Sequence, residues 1–159
     1  MVLNGTSTRI WVACFAVVTE MEQDGKNTVE TSDYFAPLRE ERHMSLATFR
    51  RNGEAVPTPI WFAEVGGRLY VRTASHFKKL ERIAHDPRVT VAPCSQSGEV
   101  TGAELPARAR ILAPEDPVLA EIDRALETRY ARERPAMNKL MHDNGWTGVF
   151  VVIEPPESD

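Results

Sequence analysis

The chain has 159 residues, the size of one domain with a sizeable core, and a formal net charge of −4. An isoelectric point of about 5.6 excludes a broadly basic, nucleic-acid-binding surface, so a cationic site must be local and suited to a small anionic ligand. Cys14 and Cys94 lie far apart without ligand spacing, which argues against a disulfide framework and makes a reducing cytoplasm the default compartment.

Residues 10–18 are apolar but far too few to span a membrane. Only Arg9 precedes them closely, no clear small-residue cleavage site follows, and residues 20–33 are acidic and polar. Residues 1–33 are therefore expected to be a poorly ordered extension, with Met21 as an alternative translation start. The compact domain is expected over residues 34–156, followed by a tail at 157–159.

Residues 34–43 suggest a short helix with Phe35, Leu38 and Arg42 along it. A strand is expected over 44–50, and Asn52-Gly53 then signals a hairpin. Residues 55–63 form the next strand, which carries two prolines, Pro57 and Pro59. Proline has no backbone N–H, and residues two apart in a strand point their N–H groups the same way. One side of this strand is thus stripped of donors, while Thr58 and Ile60 keep theirs on the other. Two readings stand. The edge is blocked against aggregation, or a flat ligand ring takes a neighbouring strand's place, with Thr58 and Ile60 supplying backbone contacts and the apolar faces of Trp61 and Phe62 beside it.

Gly66-Gly67 signals another hairpin, and residues 68–73 alternate, with Leu69, Val71 and Thr73 on one face. Ser75 is placed to cap a helix over 76–85, whose buried stripe is Phe77, Leu80 and Ile83 or Ala84. Pro87 ends that helix. A helix start binds anions through its free N–H groups and dipole. Arg72, Thr73, Ser75 and Lys79 converge there, with Arg82 nearby, and read as a phosphate site. A solvated cationic face is the alternative.

A strand over 89–94 leads into a polar loop at 95–102. Residues 103–112 alternate, with Leu105, Ala107, Ala109 and Ile111 to one side. Pro114 and Pro117 open a longer helix to about 131, with Leu119, Ile122, Leu126 and Tyr130 inward. Pro135 breaks it, a second helical piece runs to about 142, and residues 146–153 form a last, nearly all-apolar strand. Successive antiparallel strands with few helices predict a mainly β, α+β fold: a six- to seven-stranded antiparallel barrel. The four histidines, His43, His76, His85 and His142, show no zinc spacing. No nucleophile–base constellation is present, so no catalytic residue is assigned.

In this order and spacing, SLATFRRNG (45–53), VPTPIWF (56–62), LYVRT (69–73), Lys79 and HDPRVTVAPC (85–94) resemble the pyridoxamine-phosphate-oxidase-like split β-barrel oxidoreductases. The branch most resembled binds the deazaflavin coenzyme F-420. The resemblance covers residues 34–154 and implies a homodimer with the cofactor at its interface. It implies that Thr58, Pro59, Ile60 and Trp61 lie along the ring system. Arg72, Thr73 and Lys79 would hold the phosphate, and the strand with Ala92 and Cys94 would flank the ring or its linker. The implied reaction is hydride transfer to an electron-poor organic substrate, with a proton from solvent, Tyr70 or His76. FMN is the alternative cofactor, and a non-catalytic carrier the alternative role. The Ser75-His76-Phe77-Lys78 segment departs from the small, glycine-containing segment usual before the lysine. A barrel without cofactor would instead pair Arg72 and Lys79 with Glu81 or Asp86.

Overall fold

The computed structural model describes residues 33–157, and the compact unit that carries the site runs Phe35–Asp159. The expected extension, except for Asp33, and the Met21 start lie outside the described residues. Seven strands form one antiparallel sheet in the order β2-β1-β5-β6-β7-β4-β3. They are β1 (Met44–Phe49), β2 (Ala55–Ile60), β3 (Ala63–Val65), β4 (Arg68–Ala74), β5 (Arg88–Pro93), β6 (Leu105–Ile111) and β7 (Gly148–Glu154). Among the described residues three α-helices accompany them: α1 (Lys78–His85), α2 (Leu119–Arg129) and α3 (Arg134–Asp143). None of these helices is long and apolar enough to cross a membrane.

The two edge strands, β2 and β3, are consecutive in sequence and separated only by Trp61 and Phe62. The chain thus runs from one edge of the curled sheet directly into the other, which makes it a split barrel. The single strand expected over 55–63 is broken at this point. Tyr130, fully buried at the end of α2, fills the break. Its hydroxyl accepts the Phe62 N–H at 3.0 Å. Its own proton has the carbonyls of Arg42 at 2.9 Å and Phe62 at 3.0 Å in reach. A side chain therefore replaces the ladder partners that a continuous strand would have supplied.

The Gly66-Gly67 hairpin has the expected geometry, because both glycines take positive φ, as a two-residue type I′ turn demands. The Asn52-Gly53 hairpin forms differently. Gly53 donates its N–H to Arg50 O, and Arg50 donates to Glu54 O, so residues 50–54 make a longer loop around a four-residue turn. The helix expected over 34–43 is only a 3-10 turn, Ala36–Leu38, that buries Phe35 and Leu38. Arg42 leaves the helical path because its guanidinium caps α2, donating to Arg129 O at 2.7 Å.

Both faces of the sheet centre are covered. Tyr70 and Val152, paired in register, face α2 and pack with Ile122, Leu126 and Tyr130. Leu69, Val71, Val151 and Ile153 alternate to the opposite face and are equally buried. Ile111, expected on the same side as Ala107 and Ala109, is exposed while they are buried, and Leu112 takes the core position. Strand β6 ends at Ile111, and Leu112 joins the α2 cluster while its N–H donates to Phe150 O.

Candidate functional site

The ends of β2 and β4 and the start of α1 meet α3 and Trp146 around a cleft of about 440 Å³. This volume lies within the range of small-ligand and cofactor sites. Of the sequence-selected residues, Pro59, Ile60, Trp61, Arg72, Thr73 and Lys79 line it. Pairing to β1 explains the proline side. Ser45 opposes Pro59 and Ala47 opposes Pro57, and among the described residues β1 is the only sheet neighbour of β2. Because the prolines cannot donate, the donors of that ladder come from the alternate residues, Val56, Thr58 and Ile60. The outward edge at Pro57 and Pro59 therefore presents no N–H. Trp61 follows at the break, its ring stacked on Tyr130 with centroids 4.8 Å apart and planes 9° from parallel.

Three cations, Arg72, Lys79 and Arg134, line the cleft, and no carboxylate does so among the described residues. Arg134 is buried and answered by Asp123, its guanidinium donating to Asp123 Oδ1 at 2.9 Å and Asp123 O at 3.0 Å. Arg72 has a neutral partner instead, donating to Asn138 Oδ1 at 3.2 Å. Burial, then the nearby Arg134 guanidinium, disfavours its charge, and Asp123 offsets part of that cost. Lys79 has no ion pair or hydrogen bond among the described residues. Its ammonium stands 4.5 Å from the centroid of the Phe77 ring. Burial, then the like charge of Arg82, holds its pKa below the ordinary lysine value. Neither Glu81 nor Asp86 relieves this: Glu81 lies 3.5 Å from Lys78, and Asp86 bonds Arg88 at 2.8 Å. The pairing that a cofactor-free barrel called for is thus not formed.

Gly148 makes the position of Arg72 possible. A Cβ there would lie 2.6 Å from Arg72 Nε and 2.9 Å from its Nη2, so the guanidinium lies over the bare backbone.

Four sequence-selected residues lie off the cleft. The Thr58 hydroxyl donates to Leu46 O at 3.4 Å. Ser75 does not cap α1, which begins at Lys78 with Phe77 in the capping position and no side-chain cap. Ala92 and Cys94 are buried in and beside β5. Burial, then Glu41, pushes the Cys94 thiol up, so it is neutral at pH 7. Arg82 does not line the cleft, its Nε donating to Thr48 Oγ1 on β1 at 2.6 Å, and it acts on the site only through its charge on Lys79. Phe77, expected in the buried stripe of α1, is exposed, as is Ala84, whereas Leu80 and Ile83 are buried. Of the two proton donors considered, Tyr70 is buried in the α2 cluster. His76 packs on Phe77 and Trp146, with centroids 4.4 and 4.7 Å away.

The sequence reading passed over the α3 side. Arg134, Met137 and Met141 share one helical face by their spacing and all line the cleft, as does Leu140. That pattern of a cation and two methionines was visible, although nothing local aimed it at β4. His43 and Gln96 also line the cleft. Among the described residues no group of three metal-ligating side chains could hold a metal ion.

The profile of the pyridoxamine 5′-phosphate oxidase family matches residues 31–152. Several solved structures share the fold. An FAD-binding protein from Mesorhizobium loti is 19% identical over 79% of this chain and 88% of its own, with a TM-score of 0.57. The heme storage protein HutZ from Vibrio cholerae is 12% identical over 84% and 90%, at 0.58. An F-420 reductase is 20% identical over 78% and 94%, at 0.50. No curated protein matches the chain.

Proposed function

The chain belongs to the pyridoxamine 5′-phosphate oxidase family, and from that premise we propose that it is an oxidoreductase that binds coenzyme F-420 in the Trp61–Lys79 cleft and reduces an electron-poor organic substrate. The observation that carries this reading is the charge pattern of the cleft. On a chain of net charge −4, it is lined by three cations and no carboxylate among the described residues. A half-buried lysine without a partner is costly, and an anionic group beside it removes that cost. The residues present therefore fit a phosphate-bearing cofactor.

When bound, the deazaflavin supplies the hydride. Lys79 and Arg72 hold its phosphate, and Thr73 also lines the cleft. The donor-free edge at Pro59 and the flat face of Trp61 receive the ring. Tyr130 holds Trp61 in place by stacking, so the ring-binding surface is set before the cofactor arrives. Ile60 and Leu126 add apolar lining that keeps water from the ring. No side chain of this site is assigned as an acid or base; solvent supplies the proton. The homodimer implied by the sequence resemblance belongs to this reading.

Turnover decides between enzyme and carrier. Reduced F-420 mixed anaerobically with the protein and menadione, an electron-poor quinone, should be oxidised at a rate proportional to protein. Tight cofactor binding with no turnover on any such acceptor would make the protein a non-catalytic carrier.

A further inference from the structure

We propose that the wall of the cleft formed by α3, Phe77 and Trp146 binds the apolar, ring-bearing body of an uncharged substrate, and that Met137 and Leu140 set which substrates enter. The proposal rests on the cofactor reading but uses different residues of the cleft.

Among the described residues five large hydrophobic side chains are exposed: Phe77, Val100, Ile111, Met137 and Leu140. Three of them, Phe77, Met137 and Leu140, line this one cleft. Single exposed hydrophobics need no explanation, but a cluster of them marks a binding surface. Trp146 extends the wall. Its N–H donates to Met141 O at 2.9 Å, which fixes it to the end of α3, and its ring lies 6.3 Å from that of Phe77. Aromatic rings and two methionine thioethers form a surface that adapts to flat ligands of varied outline.

The occupant argued for is a small molecule, because these side chains line a concavity of about 440 Å³ that they share with Arg72 and Lys79. Charge narrows the class. Asn138 of α3 accepts from Arg72, so a guanidinium sits against this wall, and no carboxylate lines the cleft among the described residues. A cationic ligand meets like charge without compensation. With Lys79 and Arg72 engaged by the cofactor phosphate, the apolar wall is left for an uncharged ring system.

The test is calorimetric titration of the full chain with naphthalenemethanol and with naphthylmethylammonium, which carry the same ring with and without a positive charge. The neutral probe should bind at least about tenfold more tightly than the cation. Leu140→Glu and Met137→Glu should each weaken the neutral probe about tenfold and narrow or reverse that preference. Leu140→Ala, which introduces no charge, should weaken the neutral probe more modestly and serves if a glutamate variant misfolds. Equal affinity for the two probes, or an unaltered neutral-probe affinity in Leu140→Glu, overturns the proposal. So does a change of oligomeric state in Leu140→Glu by sedimentation, which would make the wall an interface between copies of the chain. Loss of F-420 binding alone, with neutral-probe binding intact and sensitive to Leu140→Glu, would remove the cofactor reading and leave the wall standing.

Discussion

Trp61 and Tyr130 lie 69 residues apart in sequence and stack nearly parallel, 4.8 Å between ring centroids. The contact joins the break between the two sheet edges to the wall of the cleft. The Tyr130 hydroxyl satisfies Phe62 and Arg42 backbone groups, and its ring supports the aromatic face expected to meet a cofactor. One side chain thus links the closure of the barrel to the shape of the site.

Removing only that hydroxyl separates its two tasks. Tyr130→Phe keeps the stack but leaves the buried Phe62 N–H without a partner. The expected loss is about 1–3 kcal/mol in chemical denaturation. A variant as stable as the parent would mean that the break is held by other contacts.

Lys79→Ala removes the least compensated cation of the cleft. Cofactor binding should weaken by about 1.5–3 kcal/mol, the range for hydrogen bonds to charged groups. Equal affinity in variant and parent would sink the phosphate assignment.

The same lysine gives the site an alkaline limit. Its folded-state pKa is lowered, chiefly by burial, so the charged form disfavours the fold and that cost is relieved as pH rises through the lowered value. Anion binding needs the charged form. Cofactor affinity should therefore be level near neutrality and fall with rising pH before the ordinary lysine range is reached. A flat profile through that range in the parent, matching that of Lys79→Ala, would show that this ammonium is not a ligand.

Gly148→Ala tests the seat of Arg72. The added methyl has no positive φ to contend with and meets only a long side chain, so stability should change by no more than about 1 kcal/mol. The displaced guanidinium should weaken F-420 binding by roughly tenfold. Unchanged cofactor affinity would mean that Arg72 holds no part of the ligand.

Acid titration offers a check away from the cleft. The side-chain hydrogen bond from Arg88, then its backbone N–H, hold Asp86 at a pKa of about 2. A depressed carboxylate contributes stability above the unfolded aspartate value of about 3.9, lost as pH falls toward 2. NMR titration of Asp86 should show a midpoint near 2 that moves up toward the ordinary range in Arg88→Ala. An unmoved midpoint would contradict this pairing.

Short-range chemistry was the legible part of the sequence. The proline edge, the Gly66-Gly67 turn, the Pro87 stop and most strands follow from neighbouring residues. So does the placement of Arg72 and Lys79 on the lining of one cleft, because only a few residues separate β4 from α1. Long-range contacts decided what was missed. Nothing local to Tyr130 shows that its hydroxyl will bond Phe62, and nothing local to Arg82 shows that Thr48 will draw it away. Phe77 fits a buried helical stripe by spacing, yet the helix begins one residue later and leaves it exposed above Lys79. Arg134 was hidden for the same reason, since Asp123 on another helix is what permits its burial.

The most direct test is a paired titration of the purified protein with coenzyme F-420 and with FMN, repeated for Lys79→Ala. The account predicts tight binding of F-420, weaker binding of FMN, and loss of F-420 affinity in the variant. Preference for FMN would place the protein among flavin enzymes of the same fold, and binding of neither would contradict the assignment of the cleft as a cofactor site.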